Sequence, residues 1–130
     1  NIRYKLIEYQ RNNATAETDN AKKLQADKQM MFDVEMCMRD YDKVIELAPD
    51  FSFAYFNKAN ILCTQKDFKT ALNYYNKAIE TDPDFAEAYF NRGLTYLFTG
   101  NDNKGLTDLS KSGELGIYSA YNLIKRYKSN

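Results

Sequence analysis

The chain offers few side chains able to do chemistry. It has no His among its 130 residues. That removes His-based triads, His metal sites and the usual acid–base shuttle. Cys37 and Cys63 form no CxxC pair, and no His is present to activate either thiol. Both fall on apolar helical faces, which predicts buried, inert, free thiols. Asp82 and Asp84 flank Pro83 as a carboxylate pair, but their position suits turn and capping roles, where a carboxylate meets free N–H groups. Asp50, after Pro49, fits the same capping role. Lys125-Arg126-Tyr127-Lys128 is a basic end and reads as the solvated face of a last helix. Lys plus Arg is 18 and Asp plus Glu is 18, and a nucleic-acid binder would normally carry a basic excess. No run approaches the ~20 apolar residues of a membrane span. The expectation is no enzyme, no catalytic residue, no cofactor, no metal, no nucleic acid and no membrane insertion. The side chains left over are suited to holding: 11 Tyr, 8 Phe and several Asn amides.

Those side chains sit on a repeat. Displaced by 34, residues 41–57 fall on residues 75–91 with eleven of seventeen identities, Pro49 landing on Pro83. Within one unit, Tyr55, Ala59 and Leu62 make one helical face. Lys66-Asp67 interrupts, and Phe68, Ala71, Leu72, Tyr75, Ala78 and Ile79 make a second face with helical spacing. Pro83 ends it, because proline cannot donate a helix hydrogen bond and its predecessor avoids the α region. Each unit is therefore two helices and a short turn. Small residues recur at Ala59 and Gly93 on first helices, and at Ala71, Gly105, Ala78 and Ser112 on second helices. These positions let two backbones approach closely.

Tyr55-x2-Lys58-Ala59-x2-Leu62, then Ala71-x3-Tyr75-x2-Ala78, then Pro83, resembles a tetratricopeptide repeat, of bacterial type. Tyr89-x2-Arg92-Gly93-x2-Tyr96 with Leu106, Leu109 and Lys111 resembles the next. Val34, Cys37, Met38, Tyr41, Val44, Ile45 and Pro49 resemble a second helix of the unit before. The resemblance implies an all-α, right-handed superhelical stack of antiparallel helix pairs (an α-α superhelix). The predicted organisation is a remnant first helix at 1–10, an inserted polar loop at 11–28, and a second helix at 29–47. A full repeat follows at 51–83, a degenerate one at 85–115 and a capping helix at 117–128. The first unit is broken: residues 1–4 match 60–63 at an offset of 59, not 34. Met31 and Met38 are expected to continue the apolar stripe. Two departures stand out: Lys58 and Arg92 occupy a position where the family usually has Leu, and Ile117 replaces Pro83.

In arrays of this family the first helix of each pair lines a concave groove that binds peptides. Carried over, the groove residues are Phe53, Phe56, Asn57, Asn60 and Thr64, then Glu87, Phe90, Asn91, Leu94 and Phe98, with Tyr4 and Lys5 from the first unit. An Asn amide can donate to and accept from a peptide backbone, and Phe rings supply the dry area of hot spots. Asn57 and Asn91 would form a ladder along an extended ligand. The same residues admit interior roles: Phe56 and Phe90 as packing between first helices, Asn57 and Asn91 as ties between repeats. Phe56 stands where carboxylate-clamping members carry Lys, so chaperone-tail binding is not expected. The functional expectation is a protein–protein interaction module. The alternatives are a structural spacer in a longer array, self-associating through an open N-terminal end, and, more remotely, the regulatory domain of an enzyme.

Overall fold

A computed structural model describes residues 2–129, with side chains described throughout except at 2–4 and 9. Six helices follow one another: α1 (Ile2–Leu47), α2 (Ser52–Thr64), α3 (Phe68–Thr81), α4 (Ala86–Phe98), α5 (Asp102–Glu114) and α6 (Ser119–Ser129). The described residues contain no strand. By contacts the chain divides into residues 1–37 and residues 38–130.

The first of these is helix throughout. The sequence predicts a loop at 11–28, yet α1 runs through it without a break. The reason is local. No Gly or Pro occurs before Pro49, so nothing stops a helix once started. The threonines that argue for a loop instead bond back to the helix: Thr15 Oγ1 donates to the Arg11 carbonyl and Thr18 Oγ1 to that of Ala14, both at 2.9 Å. Every described side chain from residue 5 to residue 33 is exposed. Met31, expected in the core, is 71% exposed, and Cys37, expected to be buried, is also exposed. The proposed match of residues 1–4 to 60–63, and the groove role of Tyr4, lie outside the described side chains.

In residues 38–130, α2 packs antiparallel on α3, α4 on α5, and the pairs join through α3 and α4. The two proline corners are equivalent. Tyr55 Oη donates to the Pro49 carbonyl at 2.5 Å, and Tyr89 Oη, 34 residues later, to that of Pro83 at 2.9 Å. Each corner exposes a carbonyl that a helix can no longer use, and a Tyr hydroxyl satisfies it. Asp50 and Asp84 do not cap the helices that follow. The cap positions are Phe51 and Phe85, without a side-chain cap bond, and the Asp84 N–H donates to Asp82 Oδ1 at 3.1 Å. The carboxylates fall one residue too early to reach the first turn.

Two buried clusters fill the stack. One joins Tyr55, Ala78, Phe85 and Ala88; the other joins Ala59, Leu62, Ala71 and Tyr75, with Met38 and Cys63 packed at its edge. Small residues set the helix spacing. Ala59, Ala71, Ala78 and Ser112 are completely buried. A Cβ on Gly93 would lie 2.9 Å from the Gly105 carbonyl oxygen, so α4 and α5 touch backbone to backbone. The third corner lacks proline. Gly116 turns it with φ +115°, and the Ile117 carbonyl accepts from Ala120 N–H at 3.0 Å, as Phe85 accepts from Ala88 and Phe51 from Ala54. Ile117 therefore holds the place of Phe85, not that of Pro83, and α6 sits as the first helix of a further pair.

Candidate functional site

Apart from Tyr4 and Lys5, which fall within α1, the predicted groove residues lie on α2 and α4, the first helices of the two pairs. Their side chains divide into those turned inward and those left free. Phe56 is half-buried and packs against both core clusters, its ring 4.8 Å from that of Phe85 and 6.1 Å from that of Tyr75. Asn91 is also committed. Its Nδ2 donates to Asn60 Oδ1 at 2.9 Å, and the same Asn60 oxygen accepts from Tyr75 Oη at 2.5 Å. Asn60 and Asn91 thus tie α2 to α4, and the ladder partner of Asn91 is Asn60 and not Asn57. Around them, Cys63 Sγ lies 3.7 Å from Tyr75 Oη and 3.6 Å from Thr95 Oγ1. Burial raises the Tyr75 phenol well above its ordinary range, with the neighbouring Cys63 adding to it and Asn91 and Thr95 pulling back.

The free set is Phe53, 54% exposed, Leu94, 39%, and Phe98, 75%, with Asn57 and Phe90 half-buried beside them and Glu87 and Thr64 exposed. The Phe53 ring rests against that of Phe85 at 4.9 Å, and the Phe98 ring against that of Phe68 at 5.0 Å. Each ring meets its neighbour at a tilt, 55° and 54°, and its residue stays more than half exposed. Asn57 makes no side-chain hydrogen bond that would compete for its amide, unlike Asn91.

Sequence reasoning noticed Lys58 and Arg92 only as departures; the structure gives them partners. Lys58, buried on α2, bonds Asp42 on α1 and Tyr74 on α3, the latter at 2.8 Å. Arg92 on α4 grips Asp108 on α5 through Nε at 2.7 Å and Nη2 at 2.8 Å, and reaches Asn76 on α3 at 3.0 Å. Both triplets are spaced by sixteen residues, and the second is the first moved on by one repeat. Each cation pins three successive helices. Burial lowers the Lys58 ammonium, but its bonds to Asp42 and Tyr74 outweigh that and hold it above the ordinary value. The bond to Asp108 raises Arg92 further. The legible signal was a cation at an apolar position with polar partners sixteen residues away on both sides. Every buried side-chain nitrogen and oxygen among the described residues has a partner. The described residues hold no group of three or more His, Cys, Asp or Glu placed to bind a metal, and no helix long and apolar enough to cross a membrane.

Two family profiles match this region: a tetratricopeptide repeat over residues 40–73 and a TPR repeat over residues 59–100. Residues 40–100 are tetratricopeptide repeats. The fold is accordingly the all-α stack of tetratricopeptide helix pairs. Solved structures agree. The chain is similar to YrrB, described as a tetratricopeptide protein with an unusual peptide-binding site, at 24% identity and a TM-score of 0.63, over 71% of this chain and 48% of that one. It is similar to the MamA RS-1 ArsTM double mutant at 28% identity and a TM-score of 0.57, over 66% of this chain and 48% of that one. It is also similar to the first tetratricopeptide unit of Spaghetti bound to an HSP90 peptide, at 19% identity and a TM-score of 0.68, over 76% and 80%. The chain spans about half the length of the first two. A search of curated proteins finds no match.

Proposed function

We propose that this tetratricopeptide array is a non-catalytic protein–protein interaction module, and that the face formed by α2 and α4 binds an extended segment of a partner. One observation carries the reading. In a stack whose other large apolar residues on these two helices are buried or half-buried, Phe53, Leu94 and Phe98 stay open on the first helices. Exposed rings seated on a rigid support lose little freedom on binding and make efficient anchors. Asn57 supplies the amide that can take up a backbone N–H and C=O pair. Two of the similar structures are described with peptide binding, YrrB and Spaghetti, which supports the class of ligand.

The structure changes which substitutions test this. Asn91→Ala would break the tie to Asn60 and disturb the fold, so it is a poor probe. Phe98→Ala and Asn57→Ala act at the open face, the first also giving up the contact with Phe68. Peptides selected from a random display library against the chain should lose about tenfold or more in affinity to Phe98→Ala, with the helical circular dichroism spectrum unchanged. Full-strength binding by both variants would refute the groove. A second reading, self-association, rests on α1, where Leu24, Met30, Met31, Phe32 and Met36 are each 40% exposed or more. Sedimentation at increasing concentration measures it directly.

A further inference from the structure

We propose that the segment bound on this face is basic as well as apolar, and that an Arg or Lys side chain of the partner seats between the Phe53 ring and the Glu87 carboxylate. This rests on the groove reading and adds the chemistry of its ligand. The aromatic rings here form a run from solvent to core. Phe51, 48% exposed, is 6.0 Å from Phe53; Phe53, 54% exposed, is 4.9 Å from Phe85; and Phe85, 5% exposed, is 4.8 Å from Phe56. The inner end is packed. The outer rings present open faces, and a ring face attracts a cation through its quadrupole. Glu87 stands two residues past Phe85 on the first turn of α4, at the repeat position that Phe53 holds on α2. It is exposed and forms no ion pair among the described residues.

The charge along the two corners is mostly acidic, although Lys43, Lys58, Lys77 and Arg92 flank them, the last three paired with Asp42, Glu80 and Asp108. Residues 44–57 and 78–91, which form the two proline corners and the first turns after them, hold Glu46, Asp50, Glu80, Asp82, Asp84 and Glu87 and no Lys or Arg. Of these, Glu80 is paired, with Lys77. An acidic residue in a first turn also steadies its own helix, but that does not require the exposed rings beside it. A carboxylate one repeat on from a half-exposed ring, in an acidic stretch whose flanking cations are mostly paired, disfavours an acidic segment and favours one whose guanidinium or ammonium lies across the ring.

The experiment uses the whole chain and a display library of short random peptides. Peptides enriched by the parent should carry Arg or Lys over Asp or Glu by roughly threefold or more, and Glu87→Lys should reverse that bias. For the best peptide, citrulline in place of its Arg keeps the shape and removes the charge. It should weaken binding roughly threefold or more by fluorescence anisotropy, an effect that added salt diminishes and that Glu87→Gln reduces. Enrichment without charge bias, or a citrulline effect undiminished by Glu87→Gln, overturns the cation subsite while leaving the groove standing. Failure to enrich any peptide, or binding indifferent to both Phe98→Ala and Asn57→Ala, overturns both.

Discussion

At the scale of single residues, the two cations Lys58 and Arg92 look alike in sequence and differ in energetics. The side chain of Asp42 is 58% exposed, whereas that of Asp108 is 7% exposed. Removing Lys58 leaves a carboxylate that water can solvate. Removing Arg92 leaves one that water barely reaches. A buried pair broken on one side costs far more than a pair replaced by packing. Lys58→Met, which fills the same volume with apolar atoms at the position where the family usually has Leu, should therefore change unfolding free energy by no more than about 1 kcal/mol. Arg92→Ala should cost about 3–5 kcal/mol. Urea denaturation of both variants decides this, and equal effects would show that burial of the acceptor is not what matters. These residues also show what the sequence could and could not say. The cations were visible as departures from the repeat pattern. Their partners were not, because an acid sixteen residues away meets a cation only once three helices have packed. The same limit applied to Asn91, whose amide could equally have faced a ligand or Asn60 until α2 and α4 were set side by side.

At the scale of elements, the helices of residues 52–114 were legible because each of their rules is local or periodic: an apolar face at helical spacing, a proline corner, a small residue where backbones meet. The stretch at 11–28 was misread for the opposite reason. Its polar composition suggested a loop, but composition does not break a helix, and no Gly or Pro stands there to do so. The thiol of Cys37 was misplaced with it, since an apolar stripe is buried only where a neighbour covers it. Turns give a sharper case. Lys66 ends α2 with φ +62°, and Gly100, one repeat later, ends α4 with φ +87°. This left-handed region costs a residue with a Cβ roughly 1–2 kcal/mol. Glycine avoids that cost but has more freedom to lose on folding, worth roughly 0.5–1 kcal/mol. Lys66 is exposed, so its side chain contributes little that would be missed. Lys66→Gly should then stabilise the chain by about 0.5–1 kcal/mol, read as a higher melting temperature. A destabilised variant would mean that Lys66 makes an interaction in solution worth more than the backbone strain.

At the scale of residues 38–130 as a stack, α6 differs from the first helices before it in the face it turns outward. The helix α6 repeats the geometry of α2: Ala120 is as fully buried as Ala54, and both donate to a residue three before them, at 3.0 and 3.1 Å. Aligned this way, Tyr121-x3-Lys125-x2-Lys128 overlies Tyr55-x3-Ala59-x2-Leu62. In α2 the small and apolar positions receive α3. In α6 they hold two lysines, both exposed. A lysine where Ala59 is completely buried forbids close approach of another helix backbone, and a second at the Leu62 position keeps the face wet. The terminal helix of a repeat stack needs that polar outer face. Lys125→Ala combined with Lys128→Leu restores the pattern of α2 on α6. The double variant should bury that face against a second copy, because a bare small-and-apolar helix face gains roughly 1.5–3 kcal/mol for each large side chain it covers. A patch of this size gives weak association, of the order of tens to hundreds of micromolar. Sedimentation equilibrium should therefore show the mass of the double variant rising with concentration beyond that of the parent chain. Superimposable profiles for the two would mean that the lysines are incidental.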